Sequence, residues 1–164
     1  MHSHLQGYTY AVMLIAVAVS SITAAITGAV TSTAMQRERE TGLIFRGQQY
    51  QLGIQRYYEA GAQRQYPQSL DRLVKDPRFN SRRHIRRLYS DPMAKNDSDS
   101  RSHWQVIRND SGGIIGVASM VNSPPIKRAR FPHQLKHFEG AVSYREWTFI
   151  YRPKPLISDQ TLNK

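Results

Sequence analysis

Gly7-Tyr8-Thr9-Tyr10-Ala11-Val12-Met13-Leu14-Ile15 opens a stretch that runs on to Gln36 without one Asp, Glu, Lys or Arg. The first formal charge is Arg37, and every charged residue lies at or beyond it. If helical, the run Tyr8 to Met35 is about 40 Å long, and a bilayer core takes about 20 apolar residues. Residues 8–36 are therefore predicted to be the transmembrane and assembly half of a helix. Ala24, Ala25, Gly28, Ala29 and the interspersed Ser and Thr make it less greasy than a Leu/Ile anchor. Small residues let helices approach closely, so this half is predicted to pack against other helices.

The 164 residues leave one domain of 128 positions beyond the anchor, Arg37 to Lys164. That size can bury a modest core. There is no cysteine, which removes disulfides and Cys-ligated metals. The formal net charge of +11, all beyond the anchor, leaves open a solvated basic surface, anionic lipid, nucleic acid or an acidic protein as its purpose. Charge does not fix the side of a membrane, because long domains translocate largely regardless of it. Residues 1–7 lack the basic start of a secretory signal, and the apolar run exceeds a signal-peptide core, so a retained anchor is the expectation.

Beyond Gln36, Leu43, Ile44 or Phe45, Tyr50, Ile54, Tyr57 and Tyr58 recur at three- and four-residue spacing between polar residues. Residues 37–60 are thus an amphipathic continuation of one long helix. Gly42, Gly47 and Gly53 weaken that helix but allow close contact with something laid across it. Ser69 can cap a short helix to Asp76, and the segment from Phe79 to Arg101 reads as irregular. Strands are predicted at 103–108, 114–120 and 144–152, with Asp110-Ser111-Gly112-Gly113 turning the first two into a hairpin. The fold class is α+β: a long N-terminal helix packed on a small antiparallel sheet, with residues 61–153 as the globular part and 154–164 as a flexible tail. Trp104, Val106, Ile115, Val117, Trp147 and Phe149 are expected to hold sheet to helix, with the other sheet face in solvent.

These residues together resemble the type IV pilins and, more closely, the pseudopilins of type II secretion systems. The resemblance rests on Gly7-Tyr8-Thr9 before the apolar run, Tyr66-Pro67-x-x-Leu70-x-x-Leu73, the Asp91-Pro92-Met93 turn, the hairpin through Gly112-Gly113-Ile114-Ile115-Gly116-Val117, and Trp147-x-Phe149-x-Tyr151. It implies a prepilin leader of residues 1–7, cleavage between Gly7 and Tyr8 by a prepilin peptidase, and N-methylation of Tyr8. It implies a single-pass inner-membrane subunit with a periplasmic C-terminal domain. Its partners would be other pseudopilins, through the N-terminal helix, and the inner-membrane assembly proteins of the secretion system. Three departures stand out. Tyr8 replaces the usual Phe, the leader has only His2 and His4 in place of Lys or Arg, and Val12 occupies the position of the family's Glu. The missing Glu points to a minor or tip-like subunit, or to a divergent system. A minor type IV pilin that binds DNA, and an anchored binding module that never polymerises, are the alternatives.

Other residues suggest sites of their own. Asp91, Asn96, Asp97 and Asp99 form an oxygen-rich group of the kind that can hold calcium, which some pseudopilins bind, though EF-hand spacing is absent. Arg82, Arg83, Arg86 and Arg87, with Lys127, Arg128 and Arg130, form a candidate basic contact patch; Tyr89 and Phe131 could stack on bases. Solvated faces or protein contacts are the favoured reading of such loops, and nucleic acid is disfavoured. His133 and His137 have the i, i+4 spacing of a zinc pair but lack a third ligand, and no metal is assigned. No serine elbow, phosphate-cradling loop or carboxylate pair is present, so catalysis is not expected.

Overall fold

The computed structural model describes residues 3–94 and 104–153, with 3–7 and 21–30 described in backbone only. Two compact units divide the chain, Met1–Glu38 and Arg39–Lys164. The elements are α1 (Ser3–Ala60), α2 (Asp71–Val74), β1 (Trp104–Arg108), β2 (Ile114–Ser119) and β3 (Thr148–Ile150). Two short 3₁₀ helices, His133–Phe138 and Tyr144–Glu146, precede β3. The class is α+β, with four helices among the described residues and an antiparallel sheet of order β1-β2-β3.

The first unit corrects the transmembrane expectation, and with it the single-pass inner-membrane placement. Among the described residues, no helix is long and apolar enough to cross a membrane. The physical reason lies in the residues beyond the opening aliphatics. From Ser20 to Thr33 the sequence carries seven hydroxyl side chains, and freedom from charge is a weaker property than apolarity. Ser20 shows how such a helix accommodates them, its Oγ donating to the Ala16 carbonyl at 2.8 Å.

In the second unit, the last part of α1 buries Glu40, Leu43, Gly47, Tyr50, Gly53, Ile54 and Tyr57. The three- and four-residue steps keep these positions on one face. Phe45 stays exposed, and Ile44 and Tyr58 are half-buried. Two of the three glycines admit a neighbour. A Cβ at Gly47 would run into the Phe149 ring, and one at Gly53 into Ile85, whereas at Gly42 it would sit at ordinary contact distance from Pro92, 3.8 Å. Opposite outcomes are therefore expected for the same change. Gly42→Ala should stabilise by about 0.5–1 kcal/mol through helix propensity. Gly47→Ala should destabilise, because Phe149 must move from a packed position, at a cost of about 1–3 kcal/mol. Thermal unfolding of the two variants checks this, and equal shifts would contradict it.

The sheet lies over that helix face through its aromatic residues. Trp104 opposes Ser119, Val106 opposes Val117, and Val117 opposes Phe149, with an irregularity at Ile107/Arg108. Trp104 contacts Tyr50 of α1 edge-on at 5.5 Å between centroids and Phe149 at 6.3 Å. Phe138 meets Phe149 at 5.2 Å and stacks on Trp147 at 5.3 Å with 6° between planes. Burial pushes the Tyr50 phenol up to about 12, only partly offset by the Tyr89 backbone N–H that donates to it. Its O–H donates to the Tyr89 carbonyl at 2.9 Å.

Three sequence expectations shift here. The third strand is Thr148–Ile150 rather than 144–152, because the Ser143 hydroxyl accepts from the Arg145 N–H and starts a 3₁₀ turn. Trp147 is fully buried, but ahead of the strand. Ile114 rather than Ile115 is fully buried, and with Ala118 also buried, the central strand β2 does not leave one face to solvent. The helix expected to start at Ser69 is reduced to Asp71–Val74, with no side-chain cap.

Candidate functional site

Three buried carboxylates organise the loops of the second unit. Glu40 on α1 is only 3% exposed. Its Oε1 accepts from the Ile126 N–H at 2.6 Å and the Tyr144 hydroxyl at 2.8 Å, and its Oε2 from the Lys127 N–H at 3.2 Å. One helix side chain thus holds the Pro-rich loop at 123–128 and the turn before β3. Asp91 plays the same part for its own turn, accepting from the Met93 N–H at 2.8 Å and the Ser119 hydroxyl of β2 at 2.6 Å.

Asp76 is the most elaborate of the three. It is fully buried and accepts from the Arg78 backbone N–H at 3.0 Å, from Arg78 Nη2 at 2.8 Å and from His84 Nε2 at 2.8 Å. Arg78 continues to α1, donating to the Tyr57 carbonyl at 2.7 Å, with its guanidinium 3.7 Å above the Tyr57 ring. The His84 and Ile85 N–H groups both donate to the Leu73 carbonyl, at 2.8 and 3.1 Å. His84 and Ile85 are therefore pinned inside, and Arg82, Arg83, Arg86 and Arg87 on either side of them are exposed.

The two halves of the basic patch are not brought together. Ile85 packs against Gly53 and Lys127 is held by Glu40. Those two helix positions are thirteen residues apart, about 20 Å along α1. Lys127 is half-buried with its ammonium 5.2 Å from the Phe131 ring centroid, and Arg128 and Arg130 are exposed. Phe131 is itself a core residue, in edge contact with Trp147 at 5.5 Å.

Of the oxygen-rich group, Asp91 is buried and engaged as described, and Asn96, Asp97 and Asp99 lie outside the described residues. Among the described residues no three His, Cys, Asp or Glu side chains gather as a metal site. His133 and His137 are both exposed in the first 3₁₀ helix, and His137 Nε2 lies 3.1 Å from the Thr148 carbonyl oxygen. Open grooves follow β3 and the end of α1, where Tyr58, Tyr66 and Tyr151 cluster with ring centroids 4.6 and 5.9 Å apart.

In the first unit, Gly7 and Tyr8 lie inside α1, and Tyr8 is well exposed. Val12 occupies the same helix, with Tyr10, Met13, Leu14, Ile15, Val17 and Val19 all exposed as well. These positions go all the way round the helix. An all-round apolar surface of that kind belongs to a helix meant to be covered.

Sequence reasoning missed Glu40, Asp76 and the buried role of His84. The one signal for Asp76 was its place before Pro77 within a run of cations, where a lone acid is a natural ion-pair partner. Comparison with models of known families, with curated proteins and with solved structures found no match to this chain.

Proposed function

We propose that this chain is a pseudopilin-like structural subunit, which joins a type II secretion filament by packing its N-terminal helix against the helices of other subunits. The observation that carries the reading is the exposed aliphatic surface from Tyr8 to Val19, presented on all sides of α1. At about 25 cal/mol per Å² of apolar area, covering such a surface with neighbouring helices is a substantial driving force for assembly. Ala11, Ala16 and Ala18 among the larger side chains leave the recesses that ridges of a second helix can enter. The second unit supports the same reading, since the rest of α1 forms one face of an α+β body with a three-stranded antiparallel sheet.

Release of residues 1–7 is the step that commits such a subunit to assembly. The test is the N-terminal residue and intact mass of the protein produced with and without a prepilin peptidase. The expected result is a chain beginning at methylated Tyr8 only when the peptidase is present. A chain retaining Gly7 under both conditions overturns processing-dependent assembly.

A further inference from the structure

We infer that the Arg82–Arg87 loop is a docking surface for an acidic protein segment. The loop is built as a rigid mount rather than a floppy basic run. His84 and Ile85, at its centre, are buried and tied to the Leu73 carbonyl by both their backbone N–H groups. The Asp76 N–H donates to the Arg82 carbonyl at 3.1 Å, which fixes the entry to the loop. Arg82 and Arg83 leave on one side of the pin, and Arg86 and Arg87 on the other, all four exposed.

Among the described residues no carboxylate pairs with them. The described carboxylates on either side of the loop are both buried and engaged, Asp76 by Arg78 and His84 and Asp91 by the Met93 N–H and the Ser119 hydroxyl. Four guanidiniums held within six residues repel one another unless an outside anion sits among them, and carboxylates match the guanidinium fork in bidentate geometry. The position of the neighbouring rings favours protein over nucleic acid. Arg82 lies over the Phe79 ring at 5.1 Å and Arg87 over the Tyr89 ring at 5.6 Å. The aromatic faces on which bases would stack are covered by the chain's own cations. The other basic segment, at 127–130, is held at the Glu40 end of the helix and does not extend the track.

The test uses the full chain and two labelled probes of equal charge, a hexaglutamate peptide and a single-stranded oligothymidylate, titrated by fluorescence anisotropy at low salt. One variant carries R82Q, R83Q, R86Q and R87Q; a second carries K127Q, R128Q and R130Q. The expected result is peptide binding weakened about tenfold or more by the first variant and less than about twofold by the second. Binding of the peptide at least as tight as that of the oligonucleotide is also expected. Equal losses in both variants would reduce the effect to net charge and overturn the proposal. So would absence of peptide binding, or tighter binding of the oligonucleotide that depends on the four arginines. Should the Gln variant fail to fold by circular dichroism, the Arg→Lys quartet replaces it. That variant keeps charge but loses the fork, and is expected to bind the peptide about threefold more weakly; unchanged binding there overturns the proposal.

Discussion

Replacing Asp76 with alanine is expected to lower the stability of the second unit by about 3–5 kcal/mol, the usual penalty for removing one partner of a buried ion pair. The loss arises less from the missing attraction than from what is left behind. His84 is 4% exposed and has its Nε2 on the Asp76 carboxylate, and Arg78 commits its fork there while also bonding α1 at Tyr57. Without the carboxylate, both must be desolvated unpaired or pull the 78–85 loop outward, which uncovers Gly53 where Ile85 sits. Thermal unfolding should show a drop of roughly 10–20 °C. A drop of one or two degrees would mean that the pair is replaceable by solvent.

The same group sets an acid limit. Burial alone would raise the Asp76 pKa, but hydrogen bonds from Arg78, and then from His84, outweigh burial and hold it well below the usual carboxylate range. A carboxylate with a depressed folded pKa contributes stability that is fully present above its ordinary value of 3.8. That contribution is lost as pH falls from there towards the folded value. The stability gap between the natural chain and Asp76→Asn should therefore be near full at about pH 5 and close progressively below about pH 4. A gap that stays constant down to about pH 2 would assign the effect to packing rather than to ionisation.

Glu40→Ala is the second large effect, expected to cost about 3 kcal/mol. Three donors from two separate segments converge on this carboxylate: the Ile126 and Lys127 N–H groups and the Tyr144 hydroxyl. The loop at 123–128 contains two prolines and has no ladder of its own, so Glu40 supplies the pairing that a strand would otherwise give. Tyr144→Phe removes one of the three donors and leaves the carboxylate two, so it should cost only about 1 kcal/mol. The double variant should cost less than the sum of the singles, because both act on one network. Strict additivity in denaturant unfolding would show that Glu40 and Tyr144 act independently.

The helix face and the hairpin were legible in the sequence because both are periodic. Leu43, Tyr50, Ile54 and Tyr57 repeat at helical spacing, and Asp110-Ser111-Gly112-Gly113 announces a turn whose Gly112 adopts φ +76°. The carboxylates were not legible, because the reason each is buried lies far away in sequence. Glu40 reads as one more charge in the Arg37-Glu38-Arg39-Glu40 run until Tyr144 is placed beside it. The shortened third strand had a local cause, the hydroxyl of Ser143, that alternation of Trp147, Phe149 and Tyr151 conceals. The apolar run from Tyr8 misled for a different reason. Absence of charge is a weaker property than apolarity, and hydroxyl side chains recur from Ser20 onward.

The margin of the sheet at β3 is guarded by two side chains. The carbonyl of Ile150 accepts from Gln51 Nε2 at 2.7 Å, and that of Thr148 takes His137 Nε2 at 3.1 Å, as its N–H tautomer. Between them Phe149 faces Val117 of the neighbouring strand. A foreign strand arriving at this border finds its acceptors already occupied, and by side chains rooted in α1 and in a 3₁₀ helix. Extended chains recruit one another through such vacant acceptors, which is how folded proteins at high density turn into insoluble fibre. Two amide-and-imidazole stoppers at Gln51 and His137 give this molecule a fire-break. The protection is confined to this border, since β1 forms the opposite edge of the sheet.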